Sequence, residues 1–492
     1  MQHCKPSSAT PNTSADAGQH YRCGTLTYTK AGLFALFGWM LWGDFCFSLM
    51  TDIWRNIIPL VMRTEGAPNT VVALVMTTIP SAMNFVLNPI ISTFSDRYRG
   101  KRGRRIPFLL YSAPFISFFL LLLGFSQEIG RFFHGWLVML SPGLTQSAVT
   151  VGLIGVLVVC FMFFDLFVAT VFYYLFNDVV PQAFIGRFLG LFRVVGGLAG
   201  ALFNFFLFKY ATSHTSTIFF GGAILYLTAF LLLGLNVKEG EYPPPEAMTK
   251  KKGFSFDIIK TYFRECFTHR IFRRVFAYSA LSSVSNSINV FLIFMAISIG
   301  LSLDEVGKVA AVVGIVSMIL SYPMGTMVDY IHPLRVKLIV QMLFCIVTLM
   351  KCVFLVYDFP RDVAFWIYAA LAGIAIPLQA ANAAAAMPMV MRLFPHERFG
   401  QFCAANAMCS AFGAVIGGLL GGIFLDVMKR VFSTSGDYYY RFVPVWSLTF
   451  MLLASLMCYL AYLEWKKLGG DKNYKSPIED KFTGFNITES TS

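Results

Sequence analysis

The chain alternates between long hydrophobic runs and short polar connections, and twelve such runs can be counted along it. A helix that crosses the hydrocarbon core of a bilayer needs about 20 largely apolar residues. Every run reaches that length, so the pattern predicts twelve membrane-spanning helices, numbered here as spans 1 to 12. The predicted ranges are 31–62, 69–94, 106–126, 148–176, 187–208, 216–236, 271–300, 305–328, 334–357, 363–391, 399–428 and 443–465.

The longest polar interruption, residues 237–274, divides the twelve spans into two sets of six. An internal repeat supports this division, because the motif Pro-x-x-x-x-Gly-x-Phe follows span 4 at Pro181 and span 10 at Pro395. Two similar six-helix halves are typical of transporters that bind their solute between the halves. Residues 254–267 are apolar at helical spacing and predict an amphipathic helix on the membrane surface. The predicted units are a tail at 1–30, an N-terminal bundle at 31–236, a central loop at 237–270, a C-terminal bundle at 271–466 and a tail at 467–492.

Composition and charge agree with an all-α membrane protein. Hydrophobic residues make up 57% of the chain and charged residues 13%, whereas soluble proteins carry about 25% charged residues. The net charge is +13, but Lys and Arg gather in the tails and in the loops after the even-numbered spans, as on the cytoplasmic side of membrane proteins. We therefore expect a cell-membrane protein with both termini and the central loop in the cytoplasm. The positive charge indicates topology rather than nucleic-acid binding.

One face of span 1 is polar. Asp44, Ser48, Thr51, Asp52 and Arg55 follow one another at helical spacing and fall within a stripe about 100° wide. A polar helix face inside a membrane must look into a water-filled or protein-lined cavity, because ionisable groups are costly in hydrocarbon. Asp52 and Arg55 can pair with each other, whereas Asp44 has no partner on its own helix. Asp44 is therefore a candidate for binding a coupling cation, H⁺ or Na⁺.

Span 4 carries a second isolated acid, Asp165, which is surrounded in the sequence by Phe and Met. It is the second candidate for cation coupling, and the alternative is a structural carboxyl that a neighbouring helix satisfies. Uncharged polar residues at helical spacing on other spans extend the polar lining, although Ser and Thr also stabilise helix contacts in lipid. The predicted solute-binding residues are Trp42, Ser48, Asp52, Arg55, Ser81, Asn84, Tyr173, Asn286, Asn289, Gln379 and Asn382.

The chemistry of these side chains favours a neutral, polyhydroxylated solute such as a sugar. A polyanionic solute would require several buried Arg or Lys, and Arg193 in span 5 is the one spare cation that the pattern indicates. The alternative is an efflux antiporter of drugs or lipophilic compounds, whose cavity should be apolar and aromatic. The sequence has neither a metal-ligand spacing nor a nucleotide-binding motif. We therefore expect a monomeric transporter without cofactors, in contact with lipid and a small solute, rather than an enzyme.

The connection between spans 2 and 3 carries Asn88-Pro89, then Ser95-Asp96-Arg97, then Gly-Lys-Arg-Gly-Arg-Arg at 100–105 and Ile-Pro-Phe at 106–108. It resembles the signature loop of the major facilitator superfamily, most closely in the branch of glycoside–pentoside–hexuronide:cation symporters and sucrose carriers. The resemblance implies cation-coupled symport by alternating access between two bundles. Asp165 looks like the span 4 Asp of sucrose carriers, although the Arg that follows it there is absent here. The resemblance further implies a cytoplasmic latch between the bundles, made by Asp96, Arg97, Arg104, Arg105, Gly186, Arg187, Asp329 and Gly400.

Overall fold

The computed structural model describes residues 21–242, 266–395, 398–432, 436–474 and 476–477, apart from the side chains of Asp329, Lys472 and Asn473. Twelve helices in this part of the chain are long and apolar enough to cross a membrane, which confirms the predicted all-α membrane fold. Spans 1 to 6 are Lys30–Thr64, Asn69–Arg97, Ile106–Gly124, Gln146–Val179, Gln182–Tyr210 and Thr215–Asn236. Spans 7 to 12 are Arg270–Ser298, Leu303–Val328, Pro333–Val356, Arg361–Leu393, Phe399–Val431 and Tyr438–Lys467.

The observed spans lie close to the predicted ranges. The largest differences are at Gln182 and Tyr438, which start spans 5 and 12 five residues before the predicted positions. In both cases a 3₁₀ turn, Gln182–Phe184 or Tyr438–Phe442, precedes the α-helix and extends the span. Spans 2 and 5 also contain a π-helical turn each, at Leu74–Thr78 and Phe203–Leu207. Such turns are frequent at functional sites.

Each half of the chain packs around its own aromatic core. In the N-terminal half, Phe172 of span 4 meets Phe230 of span 6 edge to face, with ring centroids 5.5 Å apart. In the C-terminal half, Phe272 of span 7 lies 4.6 Å from Phe402 of span 11. Because lipid tails are as apolar as these rings, the helices associate through close packing rather than through the hydrophobic effect.

Two short strands and two helices of the described residues lie outside the spans. Strand Tyr21–Cys23 pairs antiparallel with strand Leu26–Tyr28 just before span 1, and helix Gly470–Asn473 follows span 12. Helix Ser126–Leu140, which the hydrophobic pattern did not predict, lies between spans 3 and 4 and exposes Phe132 and Trp136 by 65% and 67%. Such exposed rings are typical of a helix in the membrane interface. The amphipathic helix predicted at 254–267 lies almost wholly outside the described residues.

Candidate functional site

A polar cavity separates the two bundles. Its first part, about 680 Å³, is lined by spans 2, 4, 7 and 11, including Asn84, Asn88 and Ser410. Its second part, about 570 Å³, shares Ser81 and Asn84 with the first and is lined by amides of spans 1, 5 and 7. Those amides belong to Asn56, Asn204, Asn286 and Asn289. The predicted solute-binding residues Ser81, Asn84, Asn286 and Asn289 therefore lie around one cavity.

Direct contacts between the bundles close one end of this cavity. We call the membrane face at which span 1 begins and span 12 ends the terminal face, and the opposite one the distal face. At the distal face the Asp426 carboxylate of span 11 accepts hydrogen bonds from the backbone N–H of Asn69 and of Thr70, at 2.9 Å each. The Asn69 amide and the Thr70 hydroxyl also donate to it, at 2.9 and 2.6 Å. The Tyr440 hydroxyl donates to Asn69 Oδ1 at 2.8 Å. These four residues form the distal gate.

Glycines let the helices approach closely beside the distal gate. A Cβ on Gly422 would lie 2.6 Å from the Cα of Thr70, and one on Gly418 would lie 2.6 Å from the Thr78 hydroxyl. Arg63 pairs with Asp437 across the same face. In the described part of the chain, the hydrogen bonds that join the bundles all belong to this distal half. The cavity therefore opens toward the terminal face.

The acids of span 1 face another helix of their own bundle. Asp44 is only 2% exposed, and a Cβ on Gly196 of span 5 would lie 3.3 Å from its Oδ2. Asp52 lies in the same way against Gly200, at 2.7 Å. Asp44 therefore lies against span 5, and it is not among the residues that line the cavity between the bundles. Glycines on span 5 leave room for the carboxylates, so the polar stripe packs inside the N-terminal bundle.

Asp165 also lies inside the N-terminal bundle, where it is 8% exposed, rather than on the cavity wall. One oxygen of each of Asp44 and Asp165 has no hydrogen-bond partner in the described structure. Arg55 lines the cavity and interacts electrostatically with two of the acids, Asp52 and Asp165. Whether Asp44 and Asp165 bind the coupling cation stays a prediction.

The other predicted solute-binding residues fall into three places. Trp42 and Tyr173 are 39% and 51% exposed and contact neighbouring aromatic rings of the N-terminal bundle. Gln379 and Asn382 of span 10 line a separate cavity of about 540 Å³ inside the C-terminal bundle. Ser48 lies beside Gly196 together with Asp44.

The sequence analysis missed the polar residues of span 9 that line the C-terminal cavity, beginning with Lys337. Four polar residues of span 9 line this cavity. Gln341, Thr348 and Lys351 lie four, eleven and fourteen residues after Lys337. That spacing keeps them on one helix face. The helical spacing of these residues can be read from the sequence. Lys337, however, lies near the start of the predicted span, where a lysine resembles the positive charges of the loops.

The predicted latch residues of the N-terminal bundle pair with one another. Arg105 forms an ion pair with Asp96, and Arg104 donates two hydrogen bonds to Asp178 at 2.9 and 2.5 Å. The Glu239 carboxylate accepts the backbone N–H groups of Arg104, Arg105 and residue 106 at the start of span 3. The hydrogen bonds to Asp178 raise the pKa of Arg104, and burial raises the pKa of Glu239 against the effect of its three N–H partners.

The remaining latch residues make few contacts at the terminal face. Arg97 is exposed, and the Arg187 guanidinium lies 6.0 Å from the Phe184 ring centroid. A Cβ on Gly186 or Gly400 would meet open space. The side chain of Asp329 lies outside the described residues. With the terminal face open, the latch between the bundles stays a prediction.

Twelve spans form two bundles with a cavity between them, and contacts between the bundles close this cavity at one face. This architecture is that of a membrane transporter. The chain belongs to the Major Facilitator Superfamily, whose family model matches residues 40–378 and 275–477. This result confirms the superfamily that the loop between spans 2 and 3 indicated.

Solved structures of the same fold cover nearly the whole chain. A bacterial homologue of the human lysosomal transporter Spinster is 13% identical, with a TM-score of 0.64 over 92% of this chain and 100% of that one. A bacterial homologue of the iron transporter ferroportin is 15% identical, with a TM-score of 0.62 over 87% and 99%. A D-xylose–proton symporter is 13% identical, with a TM-score of 0.58 over 87% and 96%. At these identities the similarity is one of fold.

A curated relative matches a short part of the chain. The sucrose transport protein SUT5 of Oryza sativa subsp. indica is 39% identical over 69 residues. The matched segment spans 14% of this chain and 13% of that protein.

Proposed function

We propose that this transporter is a cation-coupled symporter of a sugar, a glycoside or a similar polar solute, working by alternating access. The observation that carries the proposal is the lining of the cavity between the bundles, where Asn56, Asn84, Asn286 and Asn289 converge. Amides donate and accept hydrogen bonds at once, as a polyhydroxylated solute requires. The local similarity to a sucrose transport protein supports the same solute class.

The size of the cavity suits a solute of this kind. Its two parts measure about 680 and 570 Å³, and small-molecule sites commonly occupy about 300–1,000 Å³. A lipophilic drug would favour an apolar and aromatic lining, which is the alternative that the efflux antiporter represents. The amide lining therefore favours a sugar over a drug.

Coupling in this proposal depends on Arg55. Its guanidinium lines the cavity and interacts with the carboxylates of Asp52 and Asp165 behind it. A proton or Na⁺ that binds at Asp165 neutralises one of these carboxylates and frees Arg55 to donate hydrogen bonds to the solute. Cation and solute then favour each other's binding, which is the thermodynamic requirement for symport.

Uptake in membrane vesicles tests the proposal. A panel of radiolabelled sugars is offered with and without a protonophore and with and without a Na⁺ gradient. We expect gradient-driven accumulation of at least one sugar by the unmodified protein. The Asp165→Asn and Asp44→Asn variants should lose accumulation and retain solute exchange. Asp304→Asn is the matched control, because Asp304 pairs with Lys308 away from the cavity. Full accumulation by both variants would contradict the coupling role.

We also propose that the protein is a monomer in the cell membrane with both termini in the cytoplasm. The Lys and Arg distribution along the chain supports this orientation. Protease sites inserted in the N-terminal tail and after Ser141 test it, because they must be cut from opposite sides of sealed cells. Cleavage of the tail site from outside would place the N-terminal tail outside the cell and contradict the proposed orientation.

A further inference from the structure

The C-terminal bundle contains a polar cavity with two lysines and no acid among its described lining residues. Lys337 is 7% exposed, and its Nζ donates a 2.7 Å hydrogen bond to Asn382 Oδ1. Lys351 lines the same cavity fourteen residues later on span 9. The cavity measures about 540 Å³ and lies between spans 7, 9, 10 and 12. It is therefore large enough to hold a small molecule.

Neither ammonium has a carboxylate to balance its charge. No ion pair of the described residues includes Lys337 or Lys351, and the lining contributes amides and hydroxyls instead. Ionisable groups inside a membrane protein face a water-filled cavity or pair with one another, so two cations without an acid in one cavity can be balanced by a partner from elsewhere. An anion from solution is such a partner.

The position of Lys337 strengthens this argument. The α-helix of span 9 begins at Pro333, so Lys337 lies close to its N-terminal end. The helix dipole is positive there and disfavours a cation while it favours an anion. Lys351 ends the same helix, where the dipole favours a cation. Lys337 is therefore a buried ammonium just beyond the first turn of a helix, with no acid among the described residues that line its cavity.

The remaining polar side chains of the cavity complete the hydrogen bonding that an oxyanion needs. The amides of Gln341, Gln379 and Asn382 line the wall beside Lys337. Amide N–H groups and ammonium groups all donate, and the oxygens of a carboxylate or sulfate accept several such bonds at once. We infer that the C-terminal cavity binds an oxyanion group, carboxylate or sulfate, with Lys337 as its principal contact and Lys351 as its second.

The cavity is placed to receive this group from the transport pathway. It shares Ser283 and Ser410 with one part of the cavity between the bundles, and Asn286 and Asn289 with the other. The inference rests on the proposed function only where the oxyanion belongs to the transported solute, which would then be an acidic or sulfated sugar. Binding of the group itself does not depend on transport.

Calorimetric titration of the purified full-length protein in detergent tests the inference with three probes. These are glucose, glucuronate, which differs from glucose by a carboxylate in place of a hydroxymethyl group, and sodium sulfate. We expect glucuronate to bind at least about tenfold more tightly than glucose, since losing one partner of a buried charge contact typically costs that much or more. Sulfate separates the two sources of the oxyanion. If it binds as well, the site accepts the free anion, and if glucuronate alone binds, the site requires the sugar.

Substitutions assign the binding to the two lysines. Lys337→Gln should weaken glucuronate binding about 10- to 100-fold and Lys351→Gln by less, while Lys337→Arg keeps the charge and most of the affinity. Lys308→Gln is the matched control, because Lys308 is an exposed lysine that pairs with Asp304. Each variant is first checked for an unchanged elution profile and melting temperature, and Lys351→Gln serves where Lys337→Gln does not fold.

Two results would overturn the inference. One is equal affinity for glucuronate and glucose together with no sulfate binding, and the other is anion binding that neither lysine substitution weakens. Failure of the proposed function is distinguishable, because it appears as absence of sugar uptake in vesicles while the anion titration still shows lysine-dependent binding.

Discussion

Removing the Asp426 carboxylate should open the distal gate. In the structure this carboxylate accepts four hydrogen bonds from Asn69 and Thr70, the first residues of span 2. Two of the donors are backbone N–H groups that have no partner within their own helix, as in any first helical turn. The Asp426→Ala variant loses all four bonds, whereas Asp426→Asn loses the charge and keeps one acceptor oxygen.

The magnitude follows from the number and kind of these bonds. A hydrogen bond to a charged group contributes about 1.5–3 kcal/mol, but water replaces part of this when the gate opens. We therefore expect about 2–3 kcal/mol for Asp426→Ala and about 1–2 kcal/mol for Asp426→Asn. At about 1.4 kcal/mol per tenfold change, the population that is open at the distal face rises roughly 25- to 150-fold in the alanine variant.

Labelling of a buried cysteine measures this population. Ala73 of span 2 is fully buried, and its Cβ lies 2.9 Å from the position that a Cβ on Gly422 would take. An Ala73→Cys substitution, in a background without the native cysteines, should react with a polar maleimide only when the bundles separate at the distal face. The labelling rate should rise in Asp426→Ala, and less in Asp426→Asn.

The control for this experiment is Asp358→Asn. Asp358 is an exposed distal acid that pairs with Arg441 within its own bundle, so its loss should leave the labelling rate unchanged. An equal rate with and without the Asp426 carboxylate would refute the reasoning, because it would mean that these four hydrogen bonds do not hold the gate.

Three further variants test the terminal face. Glu239→Ala should lower stability by about 1–2 kcal/mol, since the start of span 3 loses the acceptor of three N–H groups, and an unchanged melting temperature would contradict this. Asp96→Asn should slow transport and leave membrane insertion intact. Transport at the normal rate would contradict the predicted latch. Burial lowers the pKa of His332 to about 4, so the folded protein binds fewer protons there than the unfolded chain, whose His has a pKa of about 6.5. Stability should therefore fall as pH drops from about 6.5 toward 4, by about 1 kcal/mol after allowance for solvent screening. His332→Asn should remove this loss in melting curves, whereas the control His134→Asn, in the helix between spans 3 and 4, should keep it.

The spans and their grouping could be predicted because hydrocarbon imposes a length and a polarity on every crossing helix. The helix that packs against each polar stripe could not be predicted from the sequence. Periodicity places Asp44 and Asp52 on one face of span 1, but it carries no information about the neighbouring helix. Their neighbours are Gly196 and Gly200 of span 5, and a glycine signals close packing without naming its partner.

The distal gate shows a second limit of sequence reasoning. Asp426 lies near the end of span 11 and looks in the sequence like a boundary charge. Two of its four donors are backbone N–H groups of span 2, and every residue except proline has such a group. No residue type marks these donors, so the contact became visible only once the fold brought the two helix ends together.

The spans of the two bundles carry charged groups of opposite sign, which bears on how the proposed symporter would avoid leaking. The N-terminal bundle holds three acids, Asp44, Asp52 and Asp165, with Arg55 beside the cavity, and the C-terminal cavity holds Lys337 and Lys351. While the terminal face is open, water in the cavities screens the charges that line them, those of Arg55, Lys337 and Lys351. When that face closes, the effective dielectric constant around them falls and each unbalanced charge becomes more costly. A bound cation balances the acids and a bound oxyanion balances the lysines, so closure is least costly when both sites are filled. On these proposals, a carrier that holds only the cation or only the oxyanion closes rarely. The difference in closure free energy between this carrier and the fully loaded one couples the transport of the cation to that of the solute.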